Sequence, residues 1–373
     1  MRILHVLGKL DRGGVETWLV QVLRYIDRQK YQMDFLVHTT DAGAYDEEVK
    51  AMGARIIPCL SPSNPALYAK NFFRILREYG PYDVVHSHVH HFSGYVLTLA
   101  AMAGVNVRIA HSHNDTRSVE SKGLRRRAYL VAMRMMIRLV ATKGLAVSSE
   151  AGCNLFASQW RRYPDKWRLQ HLGIDLSRFE IQVNREKLRD SLDIPADAIV
   201  IGHVGRFSKQ KNHEFFVEVA REVVRLEPRS RFLLVGEGPV RTAIEKKVGN
   251  YDLASHFIFA GLRSDVPALM KGAMDILLFP SSYEGLPITL LEAQAAGLLC
   301  LISDAISAET DVMRGLIRRQ SLEQTPSHWA SQLLQLLSTP PVPMDKLRSA
   351  MATRSILTSK DKLSAFYAES VTV

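Results

Sequence analysis

The chain alternates short, nearly continuous apolar runs with amphipathic stretches, and it does so twice. In the first half "RILHVL", "MDFLVH", "RIIP", "DVVHSH", "VRIAHS" and "GLAVS" read as strands. Between them Val15, Trp18, Leu19, Val22, Leu23 and Ile26 recur at helical spacing. In the second half "AIVIGHV", "RFLLV", "HFIFA", "DILLF" and "LLCLI" repeat the scheme, with helical stretches such as "HEFFVEVAREVVRL" between them. A strand that is apolar on both faces needs cover on both, which a parallel sheet flanked by helices supplies. Single cores stop growing near ~250–300 residues. Two such sets in 373 residues therefore predict an α/β chain of two doubly wound, Rossmann-like domains. The polar stretch 171–187 marks the join, giving an N-terminal domain over 1–180 and a C-terminal one over 181–355. A Pro-rich connector, "TPPVPMDK", precedes a last helical segment ending at 373.

No apolar run approaches the ~18 residues of a membrane span. The opening "MRILHVLGKLDRGG" has an apolar run too short for a signal-peptide core. Cys59, Cys153 and Cys300 are odd in number and far apart, which fits neither a disulfide framework nor a zinc site. These features predict a cytoplasmic protein. The net charge of +10 is uneven: residues 1–184 hold 25 Lys+Arg against 16 Asp+Glu (+9), and residues 185–373 hold 23 against 22 (+1). The first half is thus the one that faces a polyanion.

Ligands of doubly wound sheets sit at the strand C-terminal ends, beside helix N-termini. Three stretches there are unusual. Gly13-Gly14-Val15-Glu16 follows the first strand and lets backbone approach a phosphate or sugar, although a plain strand-to-helix turn reads the same way. No G-x-G-x-x-G accompanies it, which disfavours a dehydrogenase. In "VGRFSKQKNHE" Arg206 and Lys211 flank a loop opening a helix, a setting suited to a diphosphate. In "SSYEGLPITLLEAQAAG" Pro287 suits the first helical position and Gly297 the stop. Gly285, Leu286, Pro287 and Ile288 then form a helix N-terminus open to an anion. A carboxylate would repel that anion, so Glu284 and Glu292 need other work. Glu292 can accept from hydroxyls such as a ribose diol, and Glu284 can face a sugar beyond the phosphates.

"GGVE", "VGRFSKQKN", "LVGEGP", "FAGLRSDV" and "PSSYEGLPITLLEAQAAGLLCLISD" together resemble the retaining family-4 glycosyltransferases with two Rossmann domains facing across a cleft. The likeness is to their bacterial exopolysaccharide and capsule branch, and it covers essentially the whole chain. It implies that Arg206 and Lys211 hold the donor diphosphate, that Glu292 binds the ribose, and that Glu284 contacts the transferred sugar. It also implies Gly14 against donor phosphate and acceptor, the backbone at Leu262 and Arg263 against the nucleobase, and residues 356–373 crossing back onto the first domain. The family places one histidine beside the reacting sugar; "RIAHSHND" offers His111 and His113, and spacing does not choose between them. The further histidines of "VHSHVHH" invite a metal reading, but the family needs none and no Asp-x-Asp occurs, so no metal or cofactor is expected. The linker departs from the family's Asn-Gly-Val-Asp, reading Leu172-Gly173-Ile174-Asp175.

Between Arg117 and Lys143 stand eight Lys+Arg and one Glu. On one helix Arg127, Arg134 and Arg138 lie within about 40° of one another. With Val131, Met133, Met135, Met136, Ile137 and Leu139 they read either as a docking face for an anionic leaflet or as a buried helix with a solvated stripe. The expected enzyme is a hexosyltransferase moving sugar from a nucleotide sugar, a UDP-sugar, to a lipid-linked or polysaccharide-precursor hydroxyl at the inner face of the plasma membrane. An epimerase of the same fold and an inactive glycan-binding scaffold are the alternatives. Nucleic acid is not expected, because no aromatic-basic module appears.

Overall fold

A computed structural model describes residues 1–114, 123–157 and 159–371. The chain divides into two compact units, Met1–Gly173 with Ile356–Val373, and Ile174–Ser355.

The first unit holds seven strands: β1 Arg2–Leu7, β2 Gln32–Val37, β3 Ile56–Pro58, β4 Val84–Ser87, β5 Val107–Ser112, β6 Lys143–Ala146 and β7 Trp167–Leu169. All pairings are parallel, in the order β3-β2-β1-β4-β5-β6-β7. The second unit holds β8 Ile199–Val204, β9 Ser230–Val235, β10 Phe257–Gly261, β11 Ile276–Phe279, β12 Leu299–Ser303 and β13 Ile317–Gln320, also parallel, in the order β10-β9-β8-β11-β12-β13. Both are the doubly wound arrangement the alternating pattern predicts. The chain reverses its direction of travel across the sheet between β1 and β4, and again between β8 and β11. Such switch points leave a crevice at the strand carboxyl ends.

Five helices matter below: α1 Gly14–Tyr25, α2 Leu124–Val140, α3 His213–Leu226, α4 Ile288–Ala295 and α5 Ile356–Val371. The apolar spacing of α3 buries Phe216, Val217, Val219, Ala220 and Val223 against Phe232, Leu278 and Trp329. Phe216→Ala there would cost about 3–5 kcal/mol. Helix α5 belongs to the first unit, where Trp18 Nε1 donates to Ser359 Oγ (3.0 Å), Gln170 Nε2 to the Ser359 carbonyl (3.0 Å) and Tyr31 to the Ser364 carbonyl (3.1 Å).

Candidate active site

At the switch point of the second unit, the segments leaving β8 and β11 meet. The first turns through Lys209–Lys211, passes Asn212 in the left-handed region (φ 54°) and enters α3. The second runs from Pro280 to Pro287 and enters α4. Ser282 N donates to the Gln210 carbonyl at 2.8 Å and ties the two together. Lys211 Nζ then lies 2.6 Å from Glu284 Oε1. Gln210 Nε2 donates to Glu284 Oε2 (3.1 Å) and to the Tyr283 carbonyl (2.9 Å). The Lys211 ammonium also sits 4.6 Å from the Phe279 ring centroid. The space is provided by Gly205, where an added Cβ would press on Lys211 Cε at 3.2 Å. Lys211 and Glu284 are 14% and 7% exposed, so the pair is nearly withdrawn from water. Arg206 differs: it is exposed, and its side chain has no partner among the described residues.

Helix α4 begins at Ile288, so Pro287 is its N-cap (ψ 115°) and not its first helical residue. The extended ψ keeps Pro287 outside the helix, and proline brings no amide hydrogen. Among the described residues the amides of Gly285, Leu286 and Ile288 have no protein acceptor. Gly297, at φ 75°, ends the helix. Glu292 is partly buried and has no hydrogen-bond partner among the described residues. Burial pushes its carboxyl up to about 7, with the Arg178 charge pulling the other way. Leu262 follows β10 and is exposed, while Arg263 pairs with Asp265 at 2.7 Å. Gln210 and Phe279 were not legible as site residues, because their roles arise from contacts between segments about seventy residues apart.

In the first unit Gly13 caps α1 and Gly14 opens it, with the Glu16 side chain folded over Gly13. His111 lies inside β5 and is fully buried; His113 follows the strand end and is 8% exposed. Both join His5, His86 and His88 in one cluster. His5 Nδ1 and His88 Nε2 are 3.0 Å apart, His88 Nδ1 and His113 Nε2 2.8 Å, His86 Nε2 and His111 Nδ1 3.2 Å, and His86 Nδ1 and the Tyr367 hydroxyl 2.7 Å.

With this geometry in place, comparison with known proteins is decisive. The family described as Glycosyltransferase Family 4 matches residues 12–178, and that described as Glycosyl transferases group 1 matches residues 184–356. The putative glycosyltransferase EpsF of Bacillus subtilis is 36% identical over 335 residues, covering 89% of this chain and 86% of that protein. The chain belongs to the family-4 glycosyltransferases. It is a hexosyltransferase of the two-Rossmann-domain type and of the EpsF-like branch. The capsular polysaccharide biosynthesis glycosyltransferase CapH of Staphylococcus aureus is 26% identical, with 91% of each chain covered. The fold is that of Anabaena HepE in complex with UDP-glucose, at TM-score 0.81 and 16% identity, covering 99% of this chain and 100% of that one.

The basic helix of this glycosyltransferase is α2; residues 117–122 of the basic stretch lie outside the described residues. Leu130, Met133 and Ile137 face the core. Leu124, Val131, Met135 and Leu139 are exposed, at 84%, 64%, 60% and 69%, on one stripe of the helix. Arg127 and Arg138 are exposed beside that stripe. Arg134 does not join them: its Nε donates to the Asn154 carbonyl at 3.0 Å, because its direction on the helix points toward the neighbouring segment. Among the described residues no helix is long and apolar enough to cross a membrane.

Proposed function

We propose that this enzyme transfers a hexosyl group, with retention, from a UDP-sugar to a hydroxyl of a lipid-linked or polysaccharide-precursor glycan, with no metal at the diphosphate. The observation that carries the reading is the Lys211–Glu284 pair at the switch point, beside Arg206 and the α4 N-terminus, neither of which has a protein partner among the described residues. In the reaction the bond from the anomeric carbon to the diphosphate breaks, and its electron pair stays on the diphosphate. The acceptor oxygen bonds to that carbon and passes its proton to the departing diphosphate. Arg206, Lys211 and the amides of Gly285, Leu286 and Ile288 meet the charge that develops on the leaving group, which is the work a metal does elsewhere. Lys211 has three donor hydrogens and uses one on Glu284, so others remain for phosphate oxygens. Glu284, fixed by Lys211 and Gln210, orients the sugar; Glu292, with its oxygens unengaged, accepts from the ribose diol. Leu262 and Arg263 offer their backbone to the base. In the first domain His113, at the strand end, takes the family's histidine position in preference to the enclosed His111, and Gly14 gives a close backbone approach.

UDP as the nucleotide is supported by HepE, whose structures hold UDP and UDP-glucose. A polysaccharide precursor is supported by the naming of CapH. A membrane-borne acceptor is supported by α2, where an exposed apolar stripe runs beside Arg127 and Arg138, the pattern of an interfacial helix on anionic lipid. The cell site that follows is the inner face of the plasma membrane. The test is UDP release by purified enzyme from a series of UDP-sugars, with a polyprenyl-diphosphate glycan as acceptor. Release should need the acceptor and be unchanged by added Mg²⁺ or Mn²⁺. Release of UDP with a free sugar epimer and no acceptor would establish an epimerase instead.

A further inference from the structure

The histidine cluster of the first domain goes beyond that reading. Among the described residues the ring nitrogens of its five histidines bond only to one another and to Tyr367. That leaves His5 Nε2, His111 Nε2 and His113 Nδ1 buried with no partner among the described residues. One such atom already costs about 1–3 kcal/mol, and His111 Nε2 is one that an ion between His88, His111 and His113 would take up. His88, His111 and His113 each present a nitrogen such that all three lie within 4.8 Å of one another. Three imidazoles on one tetrahedral Zn²⁺ hold their nitrogens about 3.3 Å apart. The His88–His113 contact of 2.8 Å therefore has to open by only about 0.5 Å.

The outer contacts match for two of the three ligands, His88 and His111; His113 Nδ1 has none among the described residues. A metal-bound histidine nearly always has its other nitrogen held by a second group. His88 Nε2 is held by His5 Nδ1, and His111 Nδ1 by His86 Nε2, which Tyr367 holds in turn. This leaves His88 Nδ1 and His111 Nε2 to face an ion. Burial also keeps these rings neutral, the form that binds metal: His88 and His111 sit well below the usual histidine range and His113 falls to about 3, desolvation being the largest cause in each.

We propose that His88, His111 and His113 bind one late first-row divalent metal ion such as Zn²⁺, with His5 and His86 fixing the ligands from behind. An all-imidazole set without carboxylate oxygen selects such ions over Mg²⁺, Ca²⁺ and Mn²⁺. A metal here departs from the sequence expectation of none; the reaction proposed above still uses none at the donor diphosphate. The ion would join the exits of β4 and β5 in the first domain through His113 Nε2, leaving His113 Nδ1 for the sugar-side role given above, and has no part in donor charge compensation.

The experiment uses the full chain without a histidine tag, stripped with chelator, in equilibrium dialysis against Zn²⁺ and in visible spectroscopy with Co²⁺. One equivalent of Zn²⁺ and the intense visible bands of four-coordinate Co²⁺ are expected. His111→Gln should lose both, His5→Gln should weaken Zn²⁺ binding by roughly 10–100-fold, and the exposed His328→Gln should change neither. Should His111→Gln fail to fold, His5→Gln and the wild-type Co²⁺ spectrum decide. A wild type that takes up no ion, or undiminished uptake by folded His111→Gln and His5→Gln, overturns the proposal.

Discussion

The two domains share a strand order and differ in what they place at the switch point. In the second, segments leaving β8 and β11 bring a lysine and a glutamate to 2.6 Å, each charge balanced by the other. In the first, the carboxyl-terminal halves and exits of β1, β4 and β5 bring five imidazoles together with the Tyr367 hydroxyl and no charged partner among the described residues, and burial keeps the imidazoles neutral. Withdrawal from water penalises charge in both places. A carboxylate and an ammonium, each charged near neutral pH, escape it by pairing, whereas histidine escapes it by losing its proton. The fold thus chooses the position, and the residue type decides whether that position handles charge or offers lone pairs.

The largest expected effect tests the charged side of this contrast. Lys211→Ala and Arg206→Ala should each lower turnover by roughly 10²-fold or more. Only Lys211→Ala should also destabilise, by about 3 kcal/mol, because it strands Glu284. Thermal melts that fall equally for both variants would break the distinction between a paired and a free cation.

Next come the two carboxylates. Glu284→Gln should lower kcat strongly with UDP affinity nearly unchanged, since its contact is with the sugar whose charge changes. Glu292→Gln should raise KM and weaken UDP binding, since the ribose is the same before and during reaction. Calorimetry with UDP beside steady-state kinetics reads both, and the reverse pattern would exchange the two roles.

A subtler effect concerns stability. Glu292 titrates near 7 in the folded chain against an ordinary 4.5. Between those values the unfolded chain has already released this proton and the folded chain has not. The group's stabilising contribution is therefore present below about 4.5 and lost as pH rises through 7. Glu292→Gln should melt above wild type at pH 8, by a margin that shrinks toward pH 4.5. A margin independent of pH would mean that burial is not what raises the carboxyl.

The smallest effect separates the domains by their outer charge. Arg127→Gln with Arg138→Gln should weaken binding to anionic vesicles by about 1 kcal/mol per charge, less at high salt. Arg134→Gln should leave vesicle binding alone and lower the melting temperature. Equal loss of binding by all three would restore the simple basic stripe.

Interior strands were legible because parallel sheets bury both faces. The strands the sequence hid are "WRL" and "IRRQ", β7 and β13, which are sheet edges, short and charged because one side is open. Helix α4 was legible to within a residue, since Pro287 can cap or open a helix. Lys211 and Glu284 were legible as residue types beside strand ends, but their contact across 73 positions was not. The same holds for Arg134, whose angle on the helix matched Arg127 and Arg138 while its neighbour Asn154 was invisible.

The return of α5 to the first domain sets an order of manufacture. Trp18 and His86 are complete only when Ser359 and Tyr367 arrive, and the ribosome makes those after the roughly 180 residues of the second domain. At about 5–20 residues per second that wait lasts on the order of 10–40 s. The domain begun first is thus finished last. During the wait the bed of α5, with Trp18 in it, stays without the cover that α5 gives it in the finished fold.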